Sequence, residues 1–175
     1  LELVPNDVML RRLLARDLTA QAQFEEALAL WAGLIAENPS DHESLVGRVQ
    51  TLLACGKTAD AQPDTQALLA LAPQDEVYQY YAQLAQGQVP SQQPSALMRH
   101  LFDGMADVYD GHMVRGLKYQ LPKQVAEKIV ARYPDKHLNL LDLGCGTGLL
   151  GVCLGPLNGG YMIGVDLSMK MVEQA

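Results

Sequence analysis

LNLLDLGCGTG, residues 138–148, holds a strand, a turn and the start of a helix in one short run. Leu138, Leu140, Leu141 and Leu143 form an almost continuous apolar segment, the pattern of a strand buried on both faces. It ends at Asp142-Leu143 and opens into glycine at alternate positions, Gly144, Gly146 and Gly148. Glycine there lets the backbone turn sharply and lets a ligand approach closer than a Cβ would allow. Leu149, Leu150, Val152, Cys153 and Leu154 follow as an apolar stretch, which places a helix start at or near Gly148. Strand, glycine turn and helix N-terminus together make a nucleotide-type crevice. A second buried-strand pattern, Tyr161 to Val165, ends in Asp166, an acid placed to accept both hydrogen bonds of a ribose diol.

The spacing G-x-G-x-x-G occurs at Gly146–Gly151, but it falls two residues too late after the strand for a dinucleotide fingerprint. Asp142 also sets a carboxylate near the place a pyrophosphate must occupy, a like-charge contact. A ligand with a ribose, an ammonium and a sulfonium but no phosphate matches that acid. LDLGCGTGLLG followed by GVDLSMKMVEQA resembles class I S-adenosylmethionine-dependent methyltransferases. The resemblance implies S-adenosylmethionine as cofactor. Asp142, Gly144, Cys145, Gly146, Thr147 and Gly148 would frame its methionine half, Asp166 its ribose, and Leu167 and Met169 its adenine.

Upstream, LFDGMADVYDGHMVRGLKYQLP resembles the segment that precedes the first strand in many of these enzymes and folds over the cofactor. Phe102, Asp103, Ala106, Tyr109 and Asp110 match its F-D-x-x-A-x-x-Y-D pattern. The resemblance sets Tyr109 against the methionine portion, with Tyr119 lining the same pocket. Phe102, Tyr109 and Leu117 equally fit a core face, and both readings of Tyr109 stand. Met105, Met113 and Leu117, at helical spacing, are expected in the core, and Pro122 is expected to open the helix through Ile129, Val130 and Tyr133. His100, His112 and His137 stand alone, without triad partners or ligand spacing.

Gln86 to Ser95 is polar and rich in Gln and Pro, a hinge between domains. Before it the chain repeats at a spacing of 34: Ala27, Trp31, Leu34, Ile35 and Pro39 recur as Ala61, Thr65, Leu68, Leu69 and Pro73. Each unit reads as two amphipathic helices. This period resembles the tetratricopeptide repeat, with units at about 8–41 and 42–75 and a capping helix at about 76–87. Pro63 falls in the second helix of the second unit, so that helix is expected to start near Ala61 or Gln62, or to kink there. Trp31 reads as core, and Thr65 in its place leaves the second unit less apolar area.

The fold class expected is therefore α followed by α/β: a tetratricopeptide superhelix over 1–87, a linker over 88–95, and the beginning of a Rossmann-like methyltransferase domain over 96–175. The whole resembles a bacterial group of methyltransferases that carry tetratricopeptide repeats. That family's sheet has strand order 3-2-1-4-5-7-6, of which this sequence supplies two strands. It is expected to be a fragment of a longer enzyme, inactive by itself, and no catalytic residue is assigned. The absence of an initiator Met is read the same way. A first strand lacking one neighbour is expected to pair with another chain.

Composition narrows the partners. The net charge is −7: residues 1–90 carry five cations against twelve acids, and residues 91–175 carry eight of each. No basic stripe exists to bind a nucleic-acid backbone. No apolar run reaches a membrane span and no leader pattern opens the chain, so a cytoplasmic protein is expected. Cys55, Cys145 and Cys153 lack C-x-x-C spacing and neighbouring His ligands, which fits a reducing cytoplasm and no zinc; Cys145 and Cys153 read as small buried residues. Three functions follow. The first is a methyltransferase whose repeats dock a protein or peptide. The second is an interaction module with a non-catalytic remnant of the cofactor fold. The third is a dinucleotide oxidoreductase, disfavoured by Asp142.

Overall fold

The computed structural model describes residues 7–175; residues 1–6 of the expected repeat domain lie outside it. The chain is mostly helical, with one small parallel sheet. It divides into two compact units, one running up to Pro94 and the other Ser95–Ala175.

The first unit contains α1 (Val8–Ala20), α2 (Phe24–Glu37), α3 (His42–Ala54), α4 (Gln62–Leu71) and α5 (Glu76–Ala85). Each helix packs on the next, and α3 also touches α1 and α5. The starts of α1, α3 and α5 are 34 residues apart, each preceded by an aspartate: Asp7, Asp41 and Asp75. Asp7 and Asp75 cap their helices by accepting from the backbone N–H groups two and three residues on, which satisfies donors a helix end leaves open. Asp41 does not cap; its carboxylate takes Arg12 at 2.6 Å and the Ser44 hydroxyl instead. A 3-10 turn at Ala59–Ala61 leads into α4, which sets Pro63 in the first turn where its missing N–H costs nothing.

Trp31 is fully buried, its indole N–H donating to Thr51 Oγ1 at 3.1 Å. The ring lies over Gly47: a Cβ there would meet it at 2.5 Å. At the positions 34 residues later the sizes are exchanged, with Thr65 for Trp31 and Tyr81 for Gly47, both buried. The apolar area lost at Thr65 is thus offset by Tyr81, whose hydroxyl accepts from Gln50 at 2.7 Å. Arg11, Arg12, Arg16, Arg48 and Lys57 all sit in ion pairs.

The second unit contains α6 (Ser95–Asp110), a π turn at Gly111–Gly116, α7 (Leu121–Arg132), β1 (Leu140–Leu143), α8 (Leu149–Leu154), β2 (Met162–Val165) and α9 (Met169–Gln174). The π turn widens the helix after Asp110, closing with Leu117 N–H on His112 O at 2.9 Å. It rotates Leu117 off the stripe of Met105 and Met113, and Leu117 is 62% exposed rather than core. Cys145 and Cys153 are half-buried.

β1 and β2 pair in parallel, Leu140 opposite Met162 and Leu143 opposite Val165, with α8 as the crossover. Asn158 extends the pairing by bonding both backbone groups of Leu138. The expected burial on both faces of β1 does not hold. Leu140 is half-buried, whereas Leu141 is 62% and Leu143 75% exposed. Side chains alternate across a strand, and no element among the described residues covers the face that Leu141 and Leu143 share with Ile163.

Candidate functional site

Gly144, Gly146 and Gly148 all adopt positive φ, at 82°, 54° and 76°. A side chain is strained in that region, so the alternate glycines follow from the path of the turn. The N–H groups of Gly144 and Cys145 both donate to Val165 O, and that of Gly148 to Cys145 O. The Gly146 N–H donates to Asp166 Oδ2 at 2.9 Å. Most amides of the turn are therefore already committed within the protein.

Asp166, directly after β2, joins two loops. Besides Gly146 it takes the Ser168 N–H on Oδ1 at 2.8 Å. Each oxygen retains a lone pair. Ser168, fully buried, caps α9 by accepting from the Met171 N–H at 3.2 Å.

A cavity of about 630 Å³ opens over this turn, lined by Met98, Phe102, Tyr109, Gly144, Gly146, Val165, Asp166, Leu167 and Met171. A second, of about 200 Å³, shares Tyr109, Gly144 and Gly146 with it. Its further lining includes Asp142, Cys145, Thr147 and Tyr119. Tyr109 thus stands between the two. Burial pushes its phenol up, helped by Tyr119 and by the carboxylates of Asp110 and Asp166. Burial also raises the Cys145 thiol, with Asp166 and Asp142 adding to the effect; a raised thiol is protonated and a poor nucleophile at neutral pH.

Of the residues the sequence singled out, Gly144, Gly146, Asp166, Leu167 and Tyr109 line the larger cavity, and Asp142, Cys145 and Thr147 the smaller. Gly148 lines neither; it borders a third cavity beside α8. Met169, expected beside the adenine, is 68% exposed and lines no part of the larger cavity, whose lining includes Met171, 1% exposed. Residues two apart on a helix point to different sides, and the first turn of α9 turns Met171 inward. Sequence reasoning also passed over Met98, one turn before Phe102 on α6.

α6 supplies the roof, and three of its acids bond beneath it. Asp110 Oδ1 accepts from Thr147 Oγ1 at 2.5 Å, and Asp103 Oδ1 from Ser168 Oγ at 2.5 Å. Asp107 accepts from Gln174 at 3.2 Å. Among the described residues no group of His, Cys, Asp and Glu has metal-site geometry, and no helix is long and apolar enough to cross a membrane. Comparison with protein-family models, curated proteins and solved structures finds no match.

Proposed function

We propose that the chain carries the cofactor-binding part of a class I S-adenosylmethionine-dependent methyltransferase, on a Rossmann-like core, with the first unit a tetratricopeptide arm that docks a protein or peptide. The observation that carries this reading is the donor set of the crevice. Carboxylates at Asp142 and Asp166 face the two cavities, while the turn amides that would cradle a phosphate are spent on Val165, Asp166 and Cys145. A pyrophosphate would meet negative charge and few free donors. A nucleoside with a cationic amino-acid tail meets complementary groups instead.

In this reading the free lone pairs of Asp166 take the ribose hydroxyls. Met98, Phe102, Leu167 and Met171 give the base an apolar slot. Asp142 faces the ammonium end, and Tyr109 sits where nucleoside and amino-acid halves meet. The cofactor, when bound, supplies an electrophilic methyl group. The protein's part is to orient it and to exclude water, because the leaving thioether needs no acid. The apolar face of Leu141, Leu143 and Ile163 and the open edge of β1 are where further sheet and helix would pack in a complete catalytic domain.

Calorimetric titration with S-adenosylmethionine and with NAD tests the reading. Binding of the first and not the second supports it. Binding of NAD would move the chain to the oxidoreductases. Binding of neither would favour an interaction module whose glycine turn is scaffold.

A further inference from the structure

Asp103, Asp107 and Asp110 lie on one stripe of α6, at spacings of four and three residues, beside the stripe of Phe102 and Tyr109 that roofs the larger cavity. Two of these acids reach different loops. Asp110 holds Thr147 of the glycine turn, and Asp103 holds Ser168 of the loop after β2. Both hydroxyls are buried and both bonds run from hydroxyl to carboxylate, the stronger kind of hydrogen bond. The same two loops are already tied to each other by Asp166, through Gly146 and Ser168. Roof and floor therefore form a closed circuit in which every join is a carboxylate.

We propose that Asp103 and Asp110 are positioning residues that latch α6 to the two ligand-facing loops and so set the height of the roof over the cavity. The proposal rests on the cofactor reading for its ligand, but the latch itself exists without one. The acids touch no ligand; they act through Thr147 and Ser168. The stripe's third acid, Asp107, is exposed and holds an exposed glutamine on the short helix α9, so it serves as the internal control.

The experiment compares the wild type with Asp110→Ala, Asp110→Asn, Asp103→Ala, Asp107→Ala, Thr147→Val and the double variant Asp110→Ala/Thr147→Val. Amide hydrogen exchange across 98–110 is read without ligand, and S-adenosylmethionine affinity by calorimetry. Asp110→Ala and Asp103→Ala are expected to speed exchange in α6 and to weaken affinity about tenfold each, the scale of one hydrogen bond to a charged group. Asp110→Asn keeps the accepting oxygen but not its charge and is expected to fall midway, with an affinity loss of about threefold. The double variant is expected to be no worse than either single one, and Asp107→Ala to match the wild type.

Unchanged α6 exchange in both alanine variants overturns the latch. Faster exchange with unchanged affinity overturns its positioning role. Additive losses in the double variant overturn the assigned Asp110–Thr147 pair. Should the wild type bind no S-adenosylmethionine, the cofactor reading fails, and the latch is judged on exchange and the double variant alone. An unfolded Asp103→Ala would show as lost helical circular dichroism, and the Asp110 series then carries the test.

Discussion

Asp166→Ala should loosen the site before any ligand is added. The side chain holds two backbone amides, Gly146 at 2.9 Å and Ser168 at 2.8 Å. Hydrogen bonds to a charged group contribute about 1.5–3 kcal/mol each. The Gly146 amide is half-buried and recovers water, so its loss belongs at the low end, about 1.5 kcal/mol. Ser168 is fully buried and its amide is left unpaired, at about 2–3 kcal/mol. Together the loops should lose about 4 kcal/mol, and Asp166→Asn, which keeps one accepting oxygen, about half of that. Local opening on that scale speeds amide exchange at Gly146 and Ser168 by a factor of several hundred in the alanine variant. The lone tryptophan, Trp31, lies in the first unit and should report no change, so its unfolding midpoint is the control. Loss of ligand affinity in Asp166→Ala then has two sources, a missing ribose contact and a slack loop, and exchange separates them. Wild-type exchange rates at both amides in Asp166→Ala would mean that this side chain does not hold the two loops.

Further outcomes follow from particular contacts. Gly47→Ala should destabilise the first unit by about 1–3 kcal/mol through overpacking against Trp31, against a helix preference that favours alanine by about 1 kcal/mol; Trp31 fluorescence in a denaturant series reads it. The first unit should also lose stability in acid. Burial raises the Asp41 carboxyl, but hydrogen bonds from Arg12 and Ser44 and the Arg12 charge lower it further, and the Arg11 guanidinium lowers Glu37. Both folded values lie below the unfolded ones, so the unfolded chain binds protons first. Their contribution is complete above the unfolded range and disappears as pH falls below about 4; Arg12→Met should flatten Trp31-monitored unfolding over that window. The open edge of β1, beside the exposed Leu141 and Leu143, should drive self-association. Sedimentation velocity across a concentration series reads this, and a monodisperse species of monomer mass throughout would count against it.

The spacing of 34 was readable because it is written locally: Ala27, Leu34 and Pro39 recur in place as Ala61, Leu68 and Pro73. The exchange of bulk between Trp31–Gly47 and Thr65–Tyr81 was not, since it needs to be known which helix faces which. The glycine turn announced its backbone, and Asp166 its place at a strand end. Their mutual bond was hidden, as were the Asp110–Thr147 and Asp103–Ser168 pairs, because they join residues 20 to 65 positions apart. Leu117 was misplaced for a different reason: periodicity assumes one helical pitch, and the π turn changes it. Met169 and Met171 have the same chemistry, and only the start of α9 decides which faces the cavity. Leu141 and Leu143 have the composition of core but are not covered, because burial depends on what packs opposite and composition does not record that.

Titration of S-adenosylmethionine into the wild-type chain, with NAD under the same conditions, decides which nucleoside ligand the crevice takes. Saturable binding of S-adenosylmethionine at one site is expected, weakened by Asp166→Asn, with no binding of NAD. Saturable binding of NAD in its place, or S-adenosylmethionine binding that Asp166→Asn and Asp166→Ala leave unchanged, would contradict it.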